Sequence, residues 1–181
     1  RNLDPECVIP VIEIAAQAVQ AGLDVVSVAS RVVDQLAMNA AHEGRGRVVG
    51  VLADSLTRRI RRAEVLAALD EDRLCLITQQ HPNAGFSAGS AMARNKLVYA
   101  LAEITVVIAS DHGSGGTWAG ATEALKHGYG RVAVWRGPGE GSGNRPLEEL
   151  GAEPIGSVGE LAGLLEGAPA DTPPTQLTLM D

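Results

Sequence analysis

Along the chain, runs rich in Val, Ile and Leu alternate with segments of helical spacing. DVVSVA (24–29), RVVGVLA (47–53), LCLIT (74–78), ITVVIAS (104–110) and RVAVW (131–135) are short and almost wholly apolar, which predicts strands buried on both faces. Between them, Asp4-Pro5 supplies an N-cap residue followed by a proline at a first helical position, and Gly22 ends that segment after AAQAVQA. VVDQLAMNAAHEG, RRAEVLAALD, GSAMARNKLVYALAE and TWAGATEALKHG have the same helical spacing. Strand and helix in strict alternation predict an α/β fold, a doubly wound Rossmann-like and mainly parallel sheet with helices on both faces.

Two features bound this domain. The first residues, Arg1 and Asn2, lead almost at once into a helix that should follow a first strand, and in a doubly wound sheet that strand is central. The expectation is therefore that a strand of roughly ten residues precedes Arg1. At the other end, APADTPPTQLTLMD is proline-rich and aperiodic, so residues 1–167 read as one domain and 168–181 as a flexible tail. No stretch is apolar for the roughly 18 to 20 residues a membrane helix needs, and no signal peptide is visible. A soluble, cytoplasmic protein without a membrane partner is expected.

Charge narrows the class of partner. Lys and Arg number 15 against 22 Asp and Glu, a formal charge of −7, which argues against a surface coated for nucleic acid. The excess is confined to residues 97–181, with 4 basic and 11 acidic side chains, whereas residues 1–96 hold 11 of each. Any polyanion site is then a local pocket fed by the first half. The densest positive spot is TRRIRRAE, with Arg58, Arg59, Arg61 and Arg62, which reads first as a solvated helix face. Cys7 and Cys75 are isolated, fit buried thiols, and support neither a metal site nor a disulfide.

Candidate chemistry gathers at strand C-termini, where open parallel sheets hold their ligands against free helix N–H groups. DHGSGGTWAG (111–120) leaves ITVVIAS and enters a helix near Thr117. Its Gly113, Gly115 and Gly116 let the backbone approach a phosphate, and Ser114 and Thr117 add hydroxyls beside His112. GPGEGSGNRP (137–146), after RVAVW, is again glycine-rich and brings Gly143 and Asn144. Arg94, Asn95 and Lys96 interrupt an otherwise small or apolar helix and must face a cleft or water, since an unpaired cation is not buried.

The ordered set F-x(7)-RNK-LVYALA, TVVIASDHGSGGTWAGATEAL, RVAVW and SGN-x-x-LEELGA resembles the core of the DNA-processing protein A (DprA or Smf) family, over roughly residues 1–155. The opening RN resembles the end of that family's V-G-S-R strand. The resemblance implies a stand-alone Rossmann core that binds single-stranded DNA at the strand ends, forms a homodimer and serves a RecA-type recombinase, in recombination or DNA-directed defence. It implies that Arg1 and Asn2, Arg94 and Lys96, and Ser114, Gly115 and Gly116 meet phosphate. Phosphate contacts of this kind give affinity without sequence preference. No cofactor is implied. Trp118 is bulkier than the residue usual in the family's loop, and either stacks on a base or packs the helix start onto the sheet.

Two other readings stay open. In the wider superfamily, the loop P-G-G-x-G-T-x-x-E of LOG-type phosphoribohydrolases carries a glutamate for glycosidic hydrolysis, where this chain has Gly120; Glu123 lies three residues on. A nucleotide sensor or hydrolase resting on Asp111 and His112 is the alternative to DNA binding, with no catalytic residue assigned. The tail segment QLTLM, with Gln176, Leu177, Leu179 and Met180, resembles the short peptides that bind the bacterial sliding clamp, while an ordinary apolar terminus explains it equally simply.

Overall fold

A computed structural model describes residues 4–28 and 32–166, with the side chains of 32–34 and 166 left aside. Arg1, Asn2 and the clamp-like peptide Gln176–Met180 lie outside the described residues, as does the tail.

Asp4 caps a 3-10 turn, Pro5–Cys7, by accepting the N–H of Glu6, and the chain continues into α1 (Val8–Gln20). Gly22, at φ +75°, turns the chain out of that helix toward β1 (Val25–Ser27). α2 (Val32–Glu43) and β2 (Val48–Leu52) follow. The arginine-rich segment is not one helix: α3 (Leu56–Arg59) stops at Ile60, and α4 (Ala63–Asp70) begins after Arg62. β3 (Leu74–Thr78), α5 (Ala88–Leu101), β4 (Ile104–Val107), α6 (Gly115–His127) and β5 (Arg131–Trp135) complete the expected alternation. The chain then adds α7 (Asn144–Glu149), a short β6 (Glu153–Ile155) and α8 (Val158–Glu166).

All pairings between these strands are parallel, in two three-stranded sheets ordered β1-β2-β3 and β4-β5-β6. Among the described residues no strand pairing joins the two sheets, and β1 and β4 are each an edge of their own. α5 packs against β1, β2 and β4 and so spans the two. β5 is central to the second sheet and obeys the period of two. Val132 and Val134 face a core with Tyr99, Val107, Ala121, Ala124 and Leu147, and Ala133 and Trp135 face another with Cys7, Val11, Ile108, Ile155 and Leu161. β3 departs from expectation. As the outer strand of its sheet it leaves Cys75 exposed, so of the two cysteines only Cys7 is a buried thiol. The Cys7 thiol donates to the Gly139 carbonyl at 3.0 Å, and its burial, helped by Asp4 and Glu6, raises its pKa.

Among the described residues no helix is long and apolar enough to cross a membrane, and no group of His, Cys, Asp and Glu is arranged to hold a metal.

Candidate functional site

Among the described residues a gap, or cavity, of about 870 Å³ lies between α5 and the edge of β4, and only its upper end, at the loops after β4 and β5, stands at the C-terminal ends of the strands. Thr105 to Ala109 form one side, Ala91, Met92, Val98 and Tyr99 the other, and the loops after β4 and β5 the mouth. Its middle is apolar. Arg94, Asn95, Asp4, Asp111 and Glu140 supply its charged and amide groups. Burial pushes the Tyr99 phenol well above the usual tyrosine range, so that side chain stays neutral in the wall.

The residues Arg94, Asn95 and Lys96 follow one another in sequence, but a helix turns about 100° per residue, and they part company. Arg94 is 7% exposed, lines the cavity and donates to the carbonyls of Val28 at 3.0 Å and Val51 at 3.5 Å, beyond the ends of β1 and within β2. Its Nε donates to Asn95 Oδ1, and Asn95 Nδ2 in turn donates to the Gly116 carbonyl at 3.2 Å, tying α5 to the first turn of α6. Lys96 does not line the cavity. Its ammonium meets Glu123 at 2.6 Å, an ion pair that raises its pKa and bonds α5 to α6.

The loop 111–117 keeps the expected geometry with one shift. α6 begins at Gly115, two residues before the expected Thr117. Gly113 and Gly115 take φ values of +70° and +81°, open to glycine at little cost, and Asp111 and Ser114 bridge the turn. Ser114 is the N-cap residue, exposed, with a hydroxyl that makes no cap bond. The N–H groups of Gly115, Gly116 and Thr117 have no carbonyl one turn earlier in the helix, which makes this end an acceptor of negative charge. Gly116 and Thr117 line the cavity. His112 is exposed at the mouth, where its backbone N–H reaches Ser142 Oγ at 3.2 Å and its ring meets Trp118 edge-on at 5.0 Å. Trp118 is partly buried and packs against the core cluster that contains Val107 and Ala121.

The second glycine loop serves otherwise. Asn144 is 0% exposed: its Oδ1 accepts the Ser110 N–H at 2.9 Å and its amide donates to the carbonyls of Ile108 and Trp135 at 2.8 Å each. Gly143 is buried and donates its N–H to the Ser110 carbonyl. Both are expected from the sequence to hold phosphate; here their bonds to Ser110, Ile108 and Trp135 join the ends of β4 and β5.

Gly120 is the position set beside the phosphoribohydrolase glutamate in the sequence. It is buried, and a Cβ there would lie 2.9 Å from Tyr99 Cε2, so a larger side chain has no room. Glu123, the nearest acid on the same helix, faces Lys96.

Sequence reasoning left Phe86 without a role. It is the chain's one phenylalanine and is 68% exposed at the cavity mouth, immediately before Ser87, which caps α5 in a reciprocal box with Ser90. A residue in that position usually packs back on its helix, and a lone large aromatic left in water among mouth residues is the signal that was available.

The family model for DNA recombination-mediator protein A matches residues 1–165. The chain belongs to that family. No curated protein sequence matches it. The fold is similar to DNA processing protein A from Helicobacter pylori, described for its single-stranded DNA binding mode, with a TM-score of 0.72 and 22% identity over 91% of this chain and 76% of that one. DNA processing protein A from Streptococcus pneumoniae matches with a TM-score of 0.69 and 19% identity over 88% of this chain. The chain spans 57% of the length of that pneumococcal protein. The molybdenum cofactor binding protein of Rippkaea orientalis shares the fold at a TM-score of 0.62 and 14% identity, over 92% of this chain and 90% of that one. The Rossmann-like fold is common to all three structures.

Proposed function

We propose that the protein binds single-stranded DNA without cleaving it, holding a phosphate on the turn Ser114–Thr117 and a base on Phe86. The observation that carries this reading is one mouth with both parts. A helix start with a spare hydroxyl and unbonded N–H groups opens beside an exposed aromatic ring. An aromatic platform and a phosphate grip are what sequence-independent single-strand binding needs. Membership of the recombination-mediator family and the single-stranded DNA binding of the Helicobacter pylori relative support it. Binding rather than hydrolysis is favoured because Gly120 is packed against Tyr99 and leaves no place for a glutamate. In this reading the strand is held for a recombinase, and a dimer would present two such mouths.

Fluorescence anisotropy of a labelled oligothymidine tests it. Phe86→Ala is exposed and leaves folding unchanged, yet should weaken binding by about 5- to 150-fold, the equivalent of the roughly 1 to 3 kcal/mol a stacked base contributes. Affinity equal to wild type overturns the assignment. Displacement of the oligonucleotide by micromolar mononucleotide, with no binding of longer strands, would show a free nucleotide to be the ligand instead.

A further inference from the structure

Among the described residues many cations are tied to a carboxylate. Arg47 pairs with Asp24, Arg73 with Glu71, Lys96 with Glu123, Arg131 with Glu153, and Arg136 and Arg145 with Glu140. Arg45 and Lys126 have no ion-pair partner among the described residues, and the segment between β2 and α4 adds two more such cations side by side. Residues 54–70 hold four arginines and three acids, Asp54, Glu64 and Asp70. Arg58 and Arg59 share the one carboxylate of Asp54, at 3.2 and 3.9 Å, and the Arg58 side chain is still 72% exposed. Arg61 and Arg62 are exposed and adjacent in the break between α3 and α4, with no ion-pair partner among the described residues.

The position of this spot is as telling as its charge. Because β2 is parallel to its neighbours and α3 follows it, the arginines stand at the C-terminal edge of the first sheet, the same end of the strands as the upper part of the cavity. They are also joined to the cavity mouth. Ser87, next to Phe86, is bonded to Ser90, whose hydroxyl donates to the Ala53 carbonyl at 3.0 Å, and Asp54 follows with its bond to Arg58. The start of α3 is stitched to the loop that leads to Phe86 as well, through Ser55 Oγ and Thr57 N–H on the Pro82 carbonyl at 3.1 and 3.0 Å. Arg61 and Arg62 are thus neighbouring exposed guanidinium groups in a break that follows a segment, Ala53 to Thr57, bonded to the elements of the cavity mouth.

We infer that Arg58, Arg61 and Arg62 form a second contact for the same single strand, taking the phosphates that leave the cavity past Phe86. This rests on the single-strand reading above and extends it from a pocket to a track. Guanidinium groups on a solvent-open edge take phosphates of any sequence. Each one engaged releases counterions, so the contact has a salt signature.

The test titrates wild type and Arg58→Gln/Arg61→Gln/Arg62→Gln with oligothymidines of about 4 and about 16 nucleotides, the range over which single-strand sites extend, at several salt concentrations. The variant is expected to bind the short strand as wild type does. For the long strand it should lose about tenfold in affinity at low salt and flatten the slope of log K against log salt by about 2, roughly 0.7 per phosphate released. Unchanged long-strand affinity and slope, with wild type binding both, overturns the track and leaves the pocket standing. Equal losses for both lengths also overturn it, and a wild type that binds neither overturns both readings.

Discussion

The two glycine-rich loops after β4 and β5 look alike as sequence and are opposite as structure. In 111–117 the positions of Gly113 and Gly115 face open space, with nothing within 4 Å of a Cβ placed there. In 137–143 every glycine is pressed against something. A Cβ on Gly137 would strike the Trp135 ring at 2.5 Å, on Gly139 the Cys7 sulfur at 2.5 Å, on Gly143 the Asp111 carbonyl carbon at 2.9 Å, and on Gly141 it would overlap the backbone of Ser110. The first loop uses glycine to shape a turn toward solvent, the second to let two backbones touch. Composition announces that a loop contains glycine, and only its neighbours decide whether the glycine serves a ligand or the frame. Here the second loop is the frame on which the first is mounted, since Gly143, Asn144 and Ser142 bond Ser110 and His112.

If that division is right, damage to the second loop is felt as stability. Asn144→Ala should have the largest effect. It strips partners from one N–H and two carbonyls in a site without water access, at about 1 to 3 kcal/mol for each buried group left unsatisfied, a total of about 4 kcal/mol. Thermal unfolding should fall by about 10 °C for a domain of this size. A variant within 2 or 3 °C of wild type would mean, on the same scale, that these bonds are not under strain and that the comparison fails. Gly141→Ala comes next. Its methyl group meets the Ser110 backbone and the two loops must separate, an overpacking cost of about 3 kcal/mol read in the same melting experiment.

The fold was readable where burial enforces a pattern. The Val-rich runs of β2, β4 and β5 lie between helices, and their alternation leaves no other assignment. β6 was not readable, because its three residues carry Pro154 at the centre and no period of two can be seen in so short a run. The exposure of Cys75 was hidden for a related reason: an apolar run reads the same in a central strand and in an edge strand. At the site, the turn Gly113–Thr117 was legible from glycine and hydroxyl spacing after a strand. The three polar residues Arg94 to Lys96 were legible as a group but not as directions. The pairing of Lys96 with Glu123 was not legible because ion pairing across two helices depends on their packing, which no local pattern encodes.

Between the loops lies an intermediate case. Gly113→Ala meets no atom, so its whole cost is the left-handed backbone, about 1 kcal/mol or a little more, and the melting temperature should drop by about 3 °C. A fall as large as that of Gly141→Ala would show the first loop to be structural as well.

Ser114→Ala gives the smallest change in stability and the sharpest separation of the two loops. A serine at a helix N-cap ordinarily holds an N–H of the first turn, and its loss costs about 1 kcal/mol. Here the hydroxyl caps nothing, so its removal should leave the melting temperature unchanged. The same hydroxyl stands at the start of α6, whose Gly116 and Thr117 line the cavity, where a bound phosphate would accept its proton. A hydrogen bond to a charged group contributes about 1.5 kcal/mol at least, so oligothymidine affinity should fall about tenfold. Stability and affinity thus move independently at Ser114, and at Asn144 only stability leads. If Ser114→Ala instead melts early and binds normally, the spare hydroxyl belongs to the frame, and the phosphate must be sought elsewhere along the mouth.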